Sequence, residues 1–262
     1  LIDMISPNNH TSASQLDYSA PPLLEIAVFS LESALIAQQS GADRIELCEN
    51  PADGGTTPSY GYLKKAIEKI QIPVFPIIRP RGGDFLYTDT EWEIVLNDIR
   101  LCKDLGFPGI VTGSLQKDGL VHEAQLYQAV SLAYPMEVTF HRSFDRVSDP
   151  LVALEQVIAA GCTRILTSGL QPEVIAGTPL LKKLVLQAGE RIIFMPGSGV
   201  RSSNLAQLRA ATGAREFHSS ARLFQPSGMQ SLNLAMQEKL ENISVDAVEI
   251  SRMKQIVLNP GF

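Results

Sequence analysis

Short apolar runs alternate along this chain with stretches whose apolar residues recur at helical spacing. The runs at 23–29, 44–48, 73–78, 108–112, 136–140, 163–167, 191–195 and 215–218 predict eight strands. Each is near-continuously apolar, the pattern of a parallel strand covered on both faces. Helices are predicted between them. One follows Ser30, which can cap it with Glu32 in its first turn, and stops at Gly41. Others occupy 59–70, 122–133, 180–188 and 202–211, the last stopped by Gly213. Thr88 caps a long helix that Gly106 closes, and Asp149-Pro150 opens one that ends at Gly161. A final helix covers 245–257. The polar stretch 219–244 reads as a long loop with one helical piece at 232–240. Residues 1–20, rich in Ser, Asn and Pro and without a period, read as a flexible leader before a single domain, 21–262.

Eight strand–helix alternations predict the α/β class and a closed (β/α)8 TIM barrel. Comparable strand positions, Glu25, Glu46, Arg79 and Thr112, lie 21, 33 and 33 residues apart, which suits successive βα units. The rival is a doubly wound open sheet, but no G-x-G-x-x-G follows the first strand. The 262 residues match the roughly 250 that such a barrel needs.

Composition narrows the partners. The net charge of −6 and the lack of any basic run argue against nucleic acid. No apolar stretch approaches the ~18 residues of a membrane span. Three cysteines, Cys48, Cys102 and Cys162, form no disulfide pattern and point to a reducing, cytoplasmic compartment.

In such barrels chemistry belongs at the carboxyl ends of the strands. Almost every strand here ends in polar residues or glycine. Glu25 and Glu46 lie inside apolar strands on neighbouring positions, where mutual repulsion can set one up for acid/base work. The competing reading pairs them with Arg79 or Arg142. Arg79 and Arg81, flanking a rigid proline before Gly82-Gly83, are read as projecting to one side to hold a carboxylate or phosphate. His141 is a candidate general acid or base, with Arg142 and Asp145 beside it and His218 on the last strand. Thr167-Ser168-Gly169 and Gly197-Ser198-Gly199 are candidate ligand turns, the second a phosphate cradle before a helix. Cys48 is the one cysteine at a strand end. Met195 and His218 are its candidate partners for a soft metal such as Cu(I). No spacing supports zinc.

These stretches resemble one family. Leu24-Glu25-Ile26, Gly41 through Cys48, Gly54-Gly55-Thr56-Thr57-Pro58-Ser59 and Pro76 through Phe85 carry the resemblance first. Val111-Thr112-Gly113, Thr139-Phe140-His141-Arg142, Leu166 through Gly169, Gly197 through Val200 and Phe217 through Ser220 follow in order. The chain is similar to the CutC family, and the run Ile78-Arg79-Pro80-Arg81-Gly82-Gly83-Asp84-Phe85 is its most specific part. The resemblance implies a (β/α)8 barrel, a cytoplasmic homo-oligomer (dimer or tetramer) and a role in copper homeostasis with Cu(I) as the ion bound. It also implies two cysteine ligands on the first two strands. The second matches Cys48, while the first position is Ala27, which has no ligand atom. Two functions follow as expectations. One is copper handling through Cys48. The other is a barrel enzyme of lyase, isomerase or hydrolase type on a small anionic or sugar-like metabolite. There Arg79, Arg81 and Arg142 would hold the anion, and Glu25, Glu46 or His141 would move protons.

Overall fold

The computed structural model describes residues 21–231, 233–237 and 240–259. The predicted leader, 1–20, lies outside them. Eight parallel strands are present: β1 (Leu23–Val28), β2 (Arg44–Leu47), β3 (Val74–Pro76), β4 (Gly109–Thr112), β5 (Glu137–Phe140), β6 (Arg164–Thr167), β7 (Ile193–Pro196) and β8 (Glu216–Ser219). They form two four-stranded arcs, β3-β2-β1-β8 and β4-β5-β6-β7. A parallel bridge from Ile77 to Val111 joins β3 to β4, and β7 packs beside β8, so the ring closes as a TIM barrel. Around it run α1 (Leu31–Gln39), α2 (Tyr60–Lys69), α3 (Asp89–Asp104), α4 (Glu123–Ala133), α5 (Pro150–Ala159), α6 (Val174–Ala188), α7 (Ser202–Thr212) and α8 (Ala247–Leu258).

The predicted caps are made. Ser30 Oγ accepts from the Ser33 N–H at 3.1 Å, Thr88 and Glu91 cap each other's backbone, and Asp149 accepts from Leu151 and Val152. Helix α6 starts at Val174, earlier than predicted. Pro179 is the sixth residue of α6 and lies inside the helix, where it cannot donate to the Ile175 carbonyl. Close packing holds this turn: a Cβ on Gly177 would overlap the Ser168 carbonyl.

The stretch after β8 differs more from expectation. It is not a plain loop, because β9 (Arg222–Gln225) pairs antiparallel with β10 (Asn242–Val245), Arg222 opposite Val245. In place of the predicted helical piece there is one 3-10 turn, Leu234–Met236, with residues 232 and 238–239 outside the described set. The two strands are remote in sequence, and β9 exposes Leu223 and Phe224, so alternation gives little signal.

Period two along the strands divides the core. Leu24, Ile26, Val28, Ile45, Leu47, Ile110 and Phe217 face the helices in one large apolar layer. Inside the barrel the apolar cluster is small: Cys48, Phe75, Ile77 and Val111, with Phe29 against it. The remaining interior is polar, and that axis carries the site. No helix among the described residues is long and apolar enough to cross a membrane.

Candidate functional site

The lower interior is an ionic floor. Parallel pairing sets Glu25 opposite Arg44 on β2 and opposite His218 on β8. Arg44 Nε donates to Glu25, and its Nη2 donates to Glu216 at 2.5 Å. Arg164 on β6 donates to Glu216 at 3.1 Å and pairs with Glu137 at 2.7 Å. Both guanidiniums lie over the Phe75 ring, at 5.0 and 5.2 Å. Gly109 makes room for that ring, because a Cβ there would overlap it. Met195 Sδ accepts from Arg44 Nη2 at 3.3 Å.

One strand position higher, the polar chain turns toward solvent. His218 Nδ1 donates to Glu25 Oε1 at 2.8 Å, and its Nε2 lies 3.7 Å from Glu46 Oε2. The two glutamates diverge. Burial would raise Glu25, but the Arg44 charge and the His218 hydrogen bond outweigh it and hold the carboxyl at about 2. Burial pushes Glu46 up to about 7; the Glu25 charge adds to this and His218 offsets only part. Burial opposes the charged form of His218, yet the Glu25 hydrogen bond and the Glu46 charge lift it above its ordinary value. Glu25 is thus held toward the anion, His218 is biased toward the imidazolium, and Glu46 is biased toward its protonated form.

Glu46 and His218 open on a cavity of about 270 Å³ at the carboxyl ends of the strands, where Cys48, Arg79, His141 and Arg142 also form the wall. Glu25 is fully buried beneath it and holds both His218 and Arg44. The expected pairing of the glutamates with Arg79 or Arg142 does not occur. Arg79 is instead held by the carbonyls of Asp53, Gly55 and Gly83 at 2.6–2.9 Å, and its Nε is buried without a partner.

Four predicted ligand residues lie off the cavity wall. Arg81 does not project with Arg79: the chain bends after Pro80, and Glu91 at the start of α3 captures Arg81 together with Asp84. Asp145 is consumed as a staple, accepting from Arg142 Nε at 2.8 Å, Thr167 Oγ at 2.5 Å and the Ser168 N–H at 2.9 Å. Ser168 Oγ donates to the Gln171 carbonyl. Gly197 packs closely against Leu166 and His218, whereas Gly199 does reach the wall.

His141 is held in one tautomer. Its Nδ1 accepts the Ser143 N–H at 3.2 Å, which places the proton on Nε2. Burial and the Arg79 charge push its pKa down to about 3, so the ring is a neutral donor. Nε2 is buried and has no partner.

Sequence reasoning missed two residues on this wall, Arg201 and Arg222. Neither guanidinium pairs with a carboxylate among the described residues. Arg222 lies over the Phe29 ring at 5.3 Å with its Nε buried and unpartnered. Arg201 follows the Gly197-Ser198-Gly199-Val200 turn and was within reach of the motif reading. Arg222 was not, because only the β9–β10 pairing brings it back over the barrel mouth.

The donor set does not fit Cu(I). Met195 accepts from Arg44 on the floor, and the free His218 nitrogen, Nε2, lies 3.7 Å from Glu46 Oε2. Burial and the adjoining Glu46 carboxyl raise the Cys48 thiol well above its ordinary value, and the metal needs the thiolate. Among the described residues no group of three or more His, Cys, Asp or Glu could hold a metal ion.

Comparison with known proteins places this geometry. A human copper homeostasis protein cutC homolog is 48% identical over 211 residues, covering 80% of this chain and 77% of that one. A family protein CutC of Salmonella heidelberg (strain SL476) is 46% identical over 243 residues, covering 90% and 97%. A CutC crystal structure from Streptococcus agalactiae superposes with a TM-score of 0.72 at 33% identity, covering 76% of this chain and 98% of that one. The phosphoribosylanthranilate isomerase of Pyrococcus furiosus shares the fold alone, with a TM-score of 0.53 at 13% identity and coverage of 91% and 99%. The model of the CutC family matches residues 22–223, which span every strand of the barrel and the wall of its cavity, and the chain belongs to that family.

Proposed function

We propose that the strand-end cavity is the active site of an acid/base enzyme, of lyase or isomerase type, acting on a small anionic metabolite. The observation that carries this reading is the chain Glu25–His218–Glu46, which runs from the ionic floor to the cavity wall. Glu46 exchanges the proton with substrate. His218, held by Glu25, supplies positive charge beside Glu46, and Glu46, having taken the substrate proton, gives it back to the substrate or exchanges it with water. Arg142 and the unpaired Arg201 and Arg222 attract the anion. The test is deuterium incorporation, followed by NMR in D2O, across small phosphorylated and carboxylated hydroxy and keto compounds. Wild-type protein is expected to exchange a C–H of at least one, and Glu46→Gln to slow this about 10²–10⁴-fold. Exchange of none, or wild-type rates in Glu46→Gln, would overturn the proposal.

A role in copper homeostasis follows as a second reading from the name of the human relative. Cys48 on the cavity wall favours it, though its lone thiol supports only weak Cu(I) binding. Three unpaired, buried cysteines support a reducing, cytoplasmic setting. Exposed Leu223 and Phe224 on β9 support self-association as a dimer or tetramer.

A further inference from the structure

The cavity wall holds hydrogen-bond donors that no protein group uses. The N–H groups of Ser198, Gly199 and Val200 donate to nothing among the described residues. Ser198 and Gly199 are successive residues with positive φ, 74° and 80°. Ser198 Oγ fixes the turn by donating to the Pro172 carbonyl at 2.8 Å. Arg201 and Arg222 stand on the same wall with their charges unpaired.

We infer that the cavity takes a phosphate monoester, its phosphate seated between Arg201 and Arg222 against the Ser198–Val200 turn. This rests on the reading of the cavity as an anion site and names its substrate class. Charge selects the group. A carboxylate neutralises one guanidinium and leaves the other unpaired, whereas a phosphate monoester near pH 7 carries about −1.5 to −2. Its three terminal oxygens also accept from more donors than a planar carboxylate does. A volume of about 270 Å³ suits a phosphorylated skeleton of a few carbons.

The test compares methyl phosphate, a monoester dianion, with dimethyl phosphate, a diester monoanion, and with acetate, at matched ionic strength. Calorimetry should show saturable methyl phosphate binding about tenfold or more tighter than either. In wild-type ¹⁵N spectra the Ser198, Gly199 and Val200 amides should shift most. Arg201→Met and Arg222→Met should each weaken binding about tenfold, with thermal unfolding confirming that both variants fold. Equal affinity for acetate, absence of saturable methyl phosphate binding, or amide shifts confined to other regions would overturn the inference. Deuterium exchange without phosphate selectivity would sink this assignment alone. Phosphate binding with no exchange of any compound would sink the enzymatic reading and leave the site standing.

Discussion

The floor and the mouth of this barrel are built from the same residue types and differ in how their charges are matched. On the floor Arg44 lies between Glu25 and Glu216, and Arg164 between Glu216 and Glu137. Each cation there has carboxylate partners. At the mouth Arg201 and Arg222 have none, and Glu46 meets its nearest cation, His218, only at 3.7 Å. Burial penalises isolated charge in both places. Matched pairs lock the floor into one protonation state, whereas the incomplete match at the mouth leaves Glu46 near its titration point and two cations available to a ligand. Glu25 and Glu46 show the contrast most directly, since they sit on adjacent strands and are pushed to about 2 and about 7.

Removing one floor charge should have the largest effect. Arg44→Met leaves Glu25 and Glu216 short of a buried partner, and urea denaturation should show a loss of about 3–5 kcal/mol. A loss below about 1 kcal/mol would mean that the floor is no more matched than a surface pair.

Glu46→Gln should act in the opposite direction. The folded state holds a proton on Glu46 that the unfolded chain releases above the ordinary value of 4.5, so this group costs stability as pH rises toward about 7. The variant should therefore gain on the order of 1–3 kcal/mol at pH 8 and nothing well below 4.5. Glu25 behaves conversely. Its contribution is present above 4.5 and is lost as pH falls toward about 2, so wild-type acid unfolding should steepen across that window, and Glu25→Gln should flatten it.

Arg222→Met should change stability by no more than about 0.5 kcal/mol, because no charge partner is stranded. A floor-sized loss would place Arg222 with the matched charges. The smallest effect is expected for copper. Anaerobic Cu(I) titration against a competing chelator should show only weak binding, and tight stoichiometric binding lost in Cys48→Ala would make Cys48 the centre of the mouth.

Much of the fold was legible in sequence, because burial on both strand faces leaves apolar runs and helix starts need specific caps such as Ser30, Thr88 and Asp149. The strand ends that hold the cavity were legible for the same reason: βα connectivity alone assigns Glu46, Arg79, His141 and His218 to the barrel axis or its upper rim. Tertiary structure decided which charges meet. Arg79 and Arg81 are two residues apart, yet one turns inward to backbone carbonyls and the other is captured by Glu91 on α3. Glu25 and Glu46 read alike in sequence, and only the register with Arg44 and His218 separates them. Arg222 joins the wall through a hairpin whose second strand begins at Asn242. Periodicity reports which face of an element is buried, but the protonation and pairing of a buried charge depend on neighbours that are distant in sequence and a few ångströms away in space.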